Sequence, residues 1–295
     1  MAVTSHDLGL CAYYALKACN THSEISDTMS RRQRFPTVPM PRQPSLSAAP
    51  PGNRVQVIDR AMLLLDVLMR MPRGASALEL AQVTELDRTT VHRVLRTLAF
   101  WGMVQARDGV YALGPKCLVL GTAQHDRLGI RRAALPHAIE LQEKGVGKRR
   151  AIVSLSVPAL DEVVIIERIW APSVPLNIIT DIGTHFPLDA SVSGRAILAA
   201  WPREQGIARM GEERYAAVSE RLEAIRAARG LSFGLSEMRP GVGTLACPVF
   251  GRGDEAVAAL IVAGLALEDE LDPEAPLAQH ALRSAASISA VLRAS

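Results

Sequence analysis

The chain has 295 residues, too many for one small domain, so two domains are the natural expectation. Hydrophobic residues make up 48% and charged residues 21%, the balance of a globular protein, and no uninterrupted apolar run offers a membrane span. Charge is uneven: net +2 over residues 1–53, +2 over 54–113, +5 over 114–150 and −6 over 151–295, so a polyanion would meet the front half while the rear half faces away from phosphate.

Residues 1–53 read as a disordered tail. From Arg31 the run RRQRFPTVPMPRQPSLSAAPPG is rich in Pro, Ser, Arg and Ala, which bury too little apolar surface to fold alone. The mildly apolar stretch 8–19 has no basic segment before it and contains Lys17, so no cleaved leader is expected. Cys11, Cys19, Cys117 and Cys247 lack metal or disulfide spacing, which predicts free thiols in a reducing cytoplasm and no metal or other cofactor.

The first organised element is an amphipathic helix built on Val57, Ile58, Ala61, Leu64, Leu65 and Leu68, ended by Pro72 and Gly74. Ser76 and Glu79 then make a capping box that opens a short helix with Leu78, Leu80, Ala81 and Val83. Thr84-Glu85-Leu86 reads as a turn pinned by one Leu. Asp87 caps the next helix, in which Val91, Val94, Leu95 and Leu98 fall on one stripe. Arg88, Thr89, Thr90, His92, Arg93 and Arg96 fall on the other side. Arginine reads a guanine edge with two hydrogen bonds, and threonine touches a thymine methyl or a phosphate. The bland alternative for such a stripe is a solvated helix face. The segment after the helix argues against it: Met103–Ala106 and Val110–Leu113 read as strands around an Arg107-Asp108-Gly109 turn, which is a wing. Residues 54–113 are therefore expected to be a winged helix-turn-helix, with Arg107, Arg60 and Arg54 as backbone contacts. Net +2 is modest for duplex binding and favours two copies on two half-sites.

Residues 114–135 form a linker with a helical GPKCLVLGTA segment, and a longer helix comes next in RRAALPHAIELQEKG, with Pro136 at a turn boundary or kink. Residues 136–295 make the second domain. AIVSLSV, EVVIIERI, LNIIT, TLACPVF and AVAALIVAG read as strands, and SGRAILAAW, ERYAAVSERLEAIRAARG and PLAQHALRSAASISAVLRA as helices. The order lacks regular strand–helix alternation, so the class is α+β with a mainly antiparallel sheet.

With these pieces in order, the chain resembles the IclR family of bacterial transcription regulators, from about Val55 to the C-terminus. The resemblance rests on VQVIDRAMLLLDVL, LDRTTVHRVLRTL and YALGPKCLVLG at the front, then DEVVIIERI, GTHFPLDASVSGRAILA, GLSFGLSEMRPGVGTLACPV and AALIVAG. It implies a GAF-like effector-binding domain joined by a helical linker to the winged helix, and a homodimer or dimer of dimers on a (pseudo)palindromic operator. It also implies a small-molecule effector, commonly a carboxylic acid or aromatic catabolic intermediate. Members that bind small oxo acids hold the carboxylate on backbone amides of an L-H-A-T-x-x-G-K-A loop. The matching loop here runs from Leu188 through Asp189, Ser191, Val192, Ser193 and Gly194 to Ala196. Asp189 stands where His is usual, Gly234 where an acidic residue aligns with Glu237 nearby, Thr244 where a Cys can occur, and Ile261 and Ala263 where hydroxyls occur. The resemblance thus implies a pocket of Phe186, Leu188, Val192, Val242, Ile261 and Ala263, more apolar than one for a two-carbon acid and suited to a larger, partly aromatic effector.

Two rivals weigh against a ligand-gated regulator. For an enzyme, the sequence offers no P-loop, dinucleotide fingerprint, H-E-x-x-H or G-x-S-x-G, and Cys247 sits in an apolar strand. The other rival is an architectural DNA-binding protein whose second domain only oligomerises. It predicts DNA binding that no metabolite alters.

Overall fold

The computed structural model describes residues 55–127, 129–175, 178–237 and 239–295. The predicted tail 1–53 and Arg54 lie outside them.

The front unit runs α1 (Gln56–Met69), β1 (Ala75–Ser76), α2 (Ala77–Thr84), α3 (Arg88–Phe100), β2 (Val104–Arg107) and β3 (Val110–Leu113). Its core is Leu64, Leu65, Val67, Leu68, Leu80, Val91, Val94, Leu95 and Val104. Local chemistry sets each boundary. The Ser76 hydroxyl accepts from the Glu79 amide at 3.2 Å while the Glu79 carboxylate accepts from the Ser76 amide at 2.7 Å, closing the capping box. Glu85 ends α2 at φ 56°, turning the chain, and Leu86 packs back on the core. The wing closes on Asp108 and Gly109 at φ 51° and 80°, the two-residue turn that matches strand twist. Gly74 (φ 73°) admits the close approach of β3, since a Cβ there would lie 2.5 Å from the Tyr111 carbonyl oxygen. The strands pair antiparallel in the order β1-β3-β2. One expectation fails: Val57 and Ile58 are exposed, and the buried stripe of α1 begins at Leu64.

α4 (Pro115–Arg127) and α5 (Ile130–Glu140) come next. α5 runs straight through Pro136 rather than ending there, and passes into a π-turn over Leu141–Val146. The rear unit is a six-stranded antiparallel sheet in the order β6-β5-β4-β9-β8-β7. Its strands are β4 (Ala151–Ala159), β5 (Glu162–Trp170), β6 (His185–Pro187), β7 (Ser232–Leu235), β8 (Val242–Phe250) and β9 (Ala256–Leu265). α5 and α9 (Pro276–Ala294) cover one face through Ala138, Leu155, Leu245, Leu260 and Ala281. α6 (Val192–Ala200) and α8 (Glu212–Ala227) cover the other through Leu188, Ile197, Leu198, Leu222 and Ala259, and α7 (Arg203–Met210) joins the two. Helices on both faces explain why β9 reads as a continuous apolar run and why β4 is buried on both sides over most of its length.

The predicted strand LNIIT is not one. Leu176 and Asn177 lie outside the described residues, and Ile178 donates to the Pro175 carbonyl in a single turn before irregular chain. The neighbour of β5 is instead β6, in the register Glu162–Pro187, Val163–Phe186 and Val164–His185. That short strand carries Phe186 to the sheet and delivers the chain to the start of α6.

Candidate nucleic-acid interface and ligand cavity

On α3 the Asp87 carboxylate accepts from the Thr90 amide at 2.8 Å, and the Thr90 hydroxyl first, with this bond second, holds its carboxyl below the usual range. Arg88, Thr89, Arg93 and Arg96 are exposed, and Thr90 and His92 are half-buried. Arg60, Thr90, Arg93 and Arg96 share one groove between α1 and α3, while Arg88 and His92 lie outside it. Arg107 ends β2, exposed, one residue before the wing turn. Among the described residues, Arg88, Arg93, Arg96 and Arg107 pair with no carboxylate, so their charge stays available to an outside anion.

The sheet domain holds a cavity of about 110 Å³. Its floor is Ile152 and Ser154 of β4, Ile165 of β5, Val242 and Thr244 of β8, and Ile261 and Ala263 of β9. Its roof is Phe186, the Ser191-Val192-Ser193 start of α6, Ile178, Thr180, Glu237 and Arg239. Ser191 caps α6, its hydroxyl accepting from the Gly194 amide at 3.1 Å. Ser191, Val192 and Ser193 are buried, which places the positive end of a helix against a partly open, mostly apolar space. Among the described residues no cluster suits a metal ion.

Three of the predicted cavity residues sit elsewhere. Leu188 is fully buried among Ile197, Leu198 and Leu222 in the layer behind. Asp189 turns away to Arg214, which donates from Nε and Nη2 to its two oxygens at 2.9 and 2.7 Å and from Nη1 to Asp161 at 2.8 Å. Asp189 first, with Asp161, holds the Arg214 guanidinium above its usual range. Gly194 packs on the Leu188 backbone, where a Cβ would overlap the Leu188 carbonyl oxygen and Cα. Phe186, Ser191, Val192, Ser193, Glu237, Val242, Thr244, Ile261 and Ala263 do line the cavity.

Glu237 is already engaged. It accepts from Arg195 Nη2 at 2.5 Å on one oxygen and from Arg221 on the other. Arg195 is buried and also donates to the Ala190 carbonyl at 2.9 Å. Burial lowers its pKa and the Glu237 carboxylate offsets that. Arg214 and Arg221, two turns apart on α8, thus brace the loop before α6 and the loop after β7. The sequence offered no signal for this brace: Arg214 lies 25 residues beyond Asp189. Cys247 is fully buried, which pushes its thiol pKa up and leaves it inert as a nucleophile.

The profile described as the IclR helix-turn-helix domain matches residues 57–108, and that described as the bacterial transcriptional regulator IclR C-terminal matches residues 122–290. The chain is 33% identical over 153 residues to the HTH-type transcriptional regulator Rv1719 of Mycobacterium tuberculosis, a match spanning 51% of this chain and 56% of that protein. It is 31% identical over 246 residues to the HTH-type transcriptional regulator BhcR of Paracoccus denitrificans, spanning 77% and 83%. An IclR homolog of Microbacterium hydrocarbonoxydans, solved with 4-hydroxybenzoate, superposes with TM-score 0.62 at 22% identity, over 81% of this chain and all of that one. At that identity the likeness speaks for the fold alone.

Proposed function

This chain belongs to the IclR family of bacterial transcriptional regulators, DNA-binding proteins rather than enzymes, and we propose that a small organic acid in the sheet-domain cavity sets its grip on a (pseudo)palindromic operator. The reading assigns DNA to residues 54–113, with Arg88, Thr89, Thr90, His92, Arg93 and Arg96 toward the major groove and Arg60 and Arg107 on the backbone. It assigns the linker to 114–135 and the effector to 136–295, with two or four copies per operator, acting in the cytoplasm.

The observation that carries the effector assignment is the start of α6: a buried, neutral-capped helix end opening on a cavity with apolar walls. Such an end favours a carboxylate, and the walls favour an apolar body. About 110 Å³ is below the roughly 150 Å³ cavity known to admit one benzene ring, which favours compact acids over fused or long ones and means that a ring-bearing acid must widen the cavity on binding. The 4-hydroxybenzoate of the Microbacterium structure has this chemistry. For the acid to act as a signal, it must bind one conformation of the dimer better than the other.

The test is a gel-shift titration on the DNA upstream of its own coding region, repeated with aliphatic and aromatic acids. Specific binding shifted by one compound supports the proposal. Specific binding indifferent to all of them points instead to the architectural role.

A further inference from the structure

The α6 helix end accounts for one end of a ligand, and the opposite wall holds a group the fold does not use. β4 alternates strictly. Val153 and Leu155 enter the core under α5, and Ile152 and Ser154 face the cavity. Ser154 is 5% exposed, and its hydroxyl has no hydrogen-bond partner among the described residues. A buried orphan hydroxyl costs free energy unless something outside the fold satisfies it. Its neighbours in register are Ile261 on β9 and Arg168 on β5, and the Arg168 guanidinium donates instead to the Thr180 carbonyl at 2.9 Å and to Asp181 at 2.6 Å.

Resting on the proposed effector reading, we infer that Ser154 is a specificity-determining ligand contact. The effector is an acid with a second hydrogen-bonding group, a hydroxyl or carbonyl, across an apolar body from its carboxylate. The carboxylate sits on the first turn of α6, and the second group meets the Ser154 hydroxyl, which can donate or accept. The unsubstituted acid leaves that hydroxyl orphaned and binds more weakly.

The experiment is calorimetric titration of the full-length protein with matched pairs: benzoate against 3- and 4-hydroxybenzoate, and butyrate against 2-oxobutyrate and 3-hydroxybutyrate. Wild type, Ser154→Ala and Ser156→Ala are compared. Ser156 is a second buried orphan on the same strand, outside the cavity wall, and serves as the control. Wild type and Ser156→Ala should bind one substituted acid roughly fivefold to tenfold tighter than its parent, and Ser154→Ala should bind the two alike. Acids that bind without such a preference, or with one that survives Ser154→Ala, overturn the inference and leave the effector reading standing. Binding of no acid at 10 mM overturns both. The ligand-free melting temperature gives a separate check. Removing an orphan hydroxyl leaves it unchanged or raises it, whereas a clear drop in Ser154→Ala would mean that the hydroxyl is bonded within the fold, and would overturn the inference.

Discussion

Two helices of this chain begin on capped turns and present charge by opposite means. α3 is capped by Asp87, whose negative charge occupies the helix end, so the attraction for phosphate comes from exposed arginines along the helix. α6 is capped by the neutral Ser191, and its first turn is buried, so its positive end has no compensating charge of its own. The first arrangement works in water, where long side chains reach many phosphates and salt competes. On the proposed reading the second works in a small, mostly apolar cavity, where a few fixed dipoles suffice. On that reading, one protein can hold a large polyanion loosely enough to release and a small anion by shape.

The largest effect should come from Gly194→Ala. The added methyl meets Leu188 backbone, which cannot swing aside, and the loop that starts α6 must move. A loss of about 3 kcal/mol in sheet-domain stability is expected in denaturant melts, with effector binding lost. Winged-helix function is untouched if the two regions are as separate as the comparison holds.

Next come Arg93→Ala and Arg96→Ala, each expected to cost about 1–3 kcal/mol in operator affinity with no change in melting temperature. A base-reading arginine relaxes one operator position. A phosphate contact weakens all sequences alike and lowers the salt slope by about one. If both variants bind the operator as wild type does, α3 is not the recognition helix.

Ser191→Asp tests the contrast directly, because it gives α6 the cap that α3 has. The carboxylate still accepts from the Gly194 amide, so the helix should persist, but its charge opposes a bound acid. Affinity for acids should fall by about 2 kcal/mol, roughly thirtyfold, while operator binding without effector stays the same. Unchanged acid binding would remove α6 from the ligand site.

The smallest effect is on pH. Hydrogen bonds to Thr90 hold the Asp87 carboxyl, and those to Ser76 the Glu79 carboxyl, below the usual range. Groups depressed in the folded state stabilise it above their unfolded pKa, and that stability is lost as pH falls through the folded value. Winged-helix melting should be flat from neutral to about pH 5 and fall below about pH 4. Asp87→Asn keeps the cap oxygen and should flatten part of that fall.

The winged helix was legible in the sequence because its determinants are local. Ser76 and Glu79 lie three residues apart, as do Asp87 and Thr90, and the wing turn is two residues long. Interactions of this reach are set by chain order, and the 3.6-residue period of Val91, Val94, Leu95 and Leu98 supplied the buried face. The family resemblance then located the loop before α6. What sequence could not settle was which side of that loop faces the cavity. Leu188 and Asp189 belong to the same stretch as Ser191 and Ser193, yet one fills the core and the other answers Arg214 on α8. Ile178 joins the cavity wall from an irregular segment, and Ser154 joins its floor through a register with β9 more than 100 residues away. Those placements depend on which strands pair and which helix covers which face, and only the assembled sheet decides that.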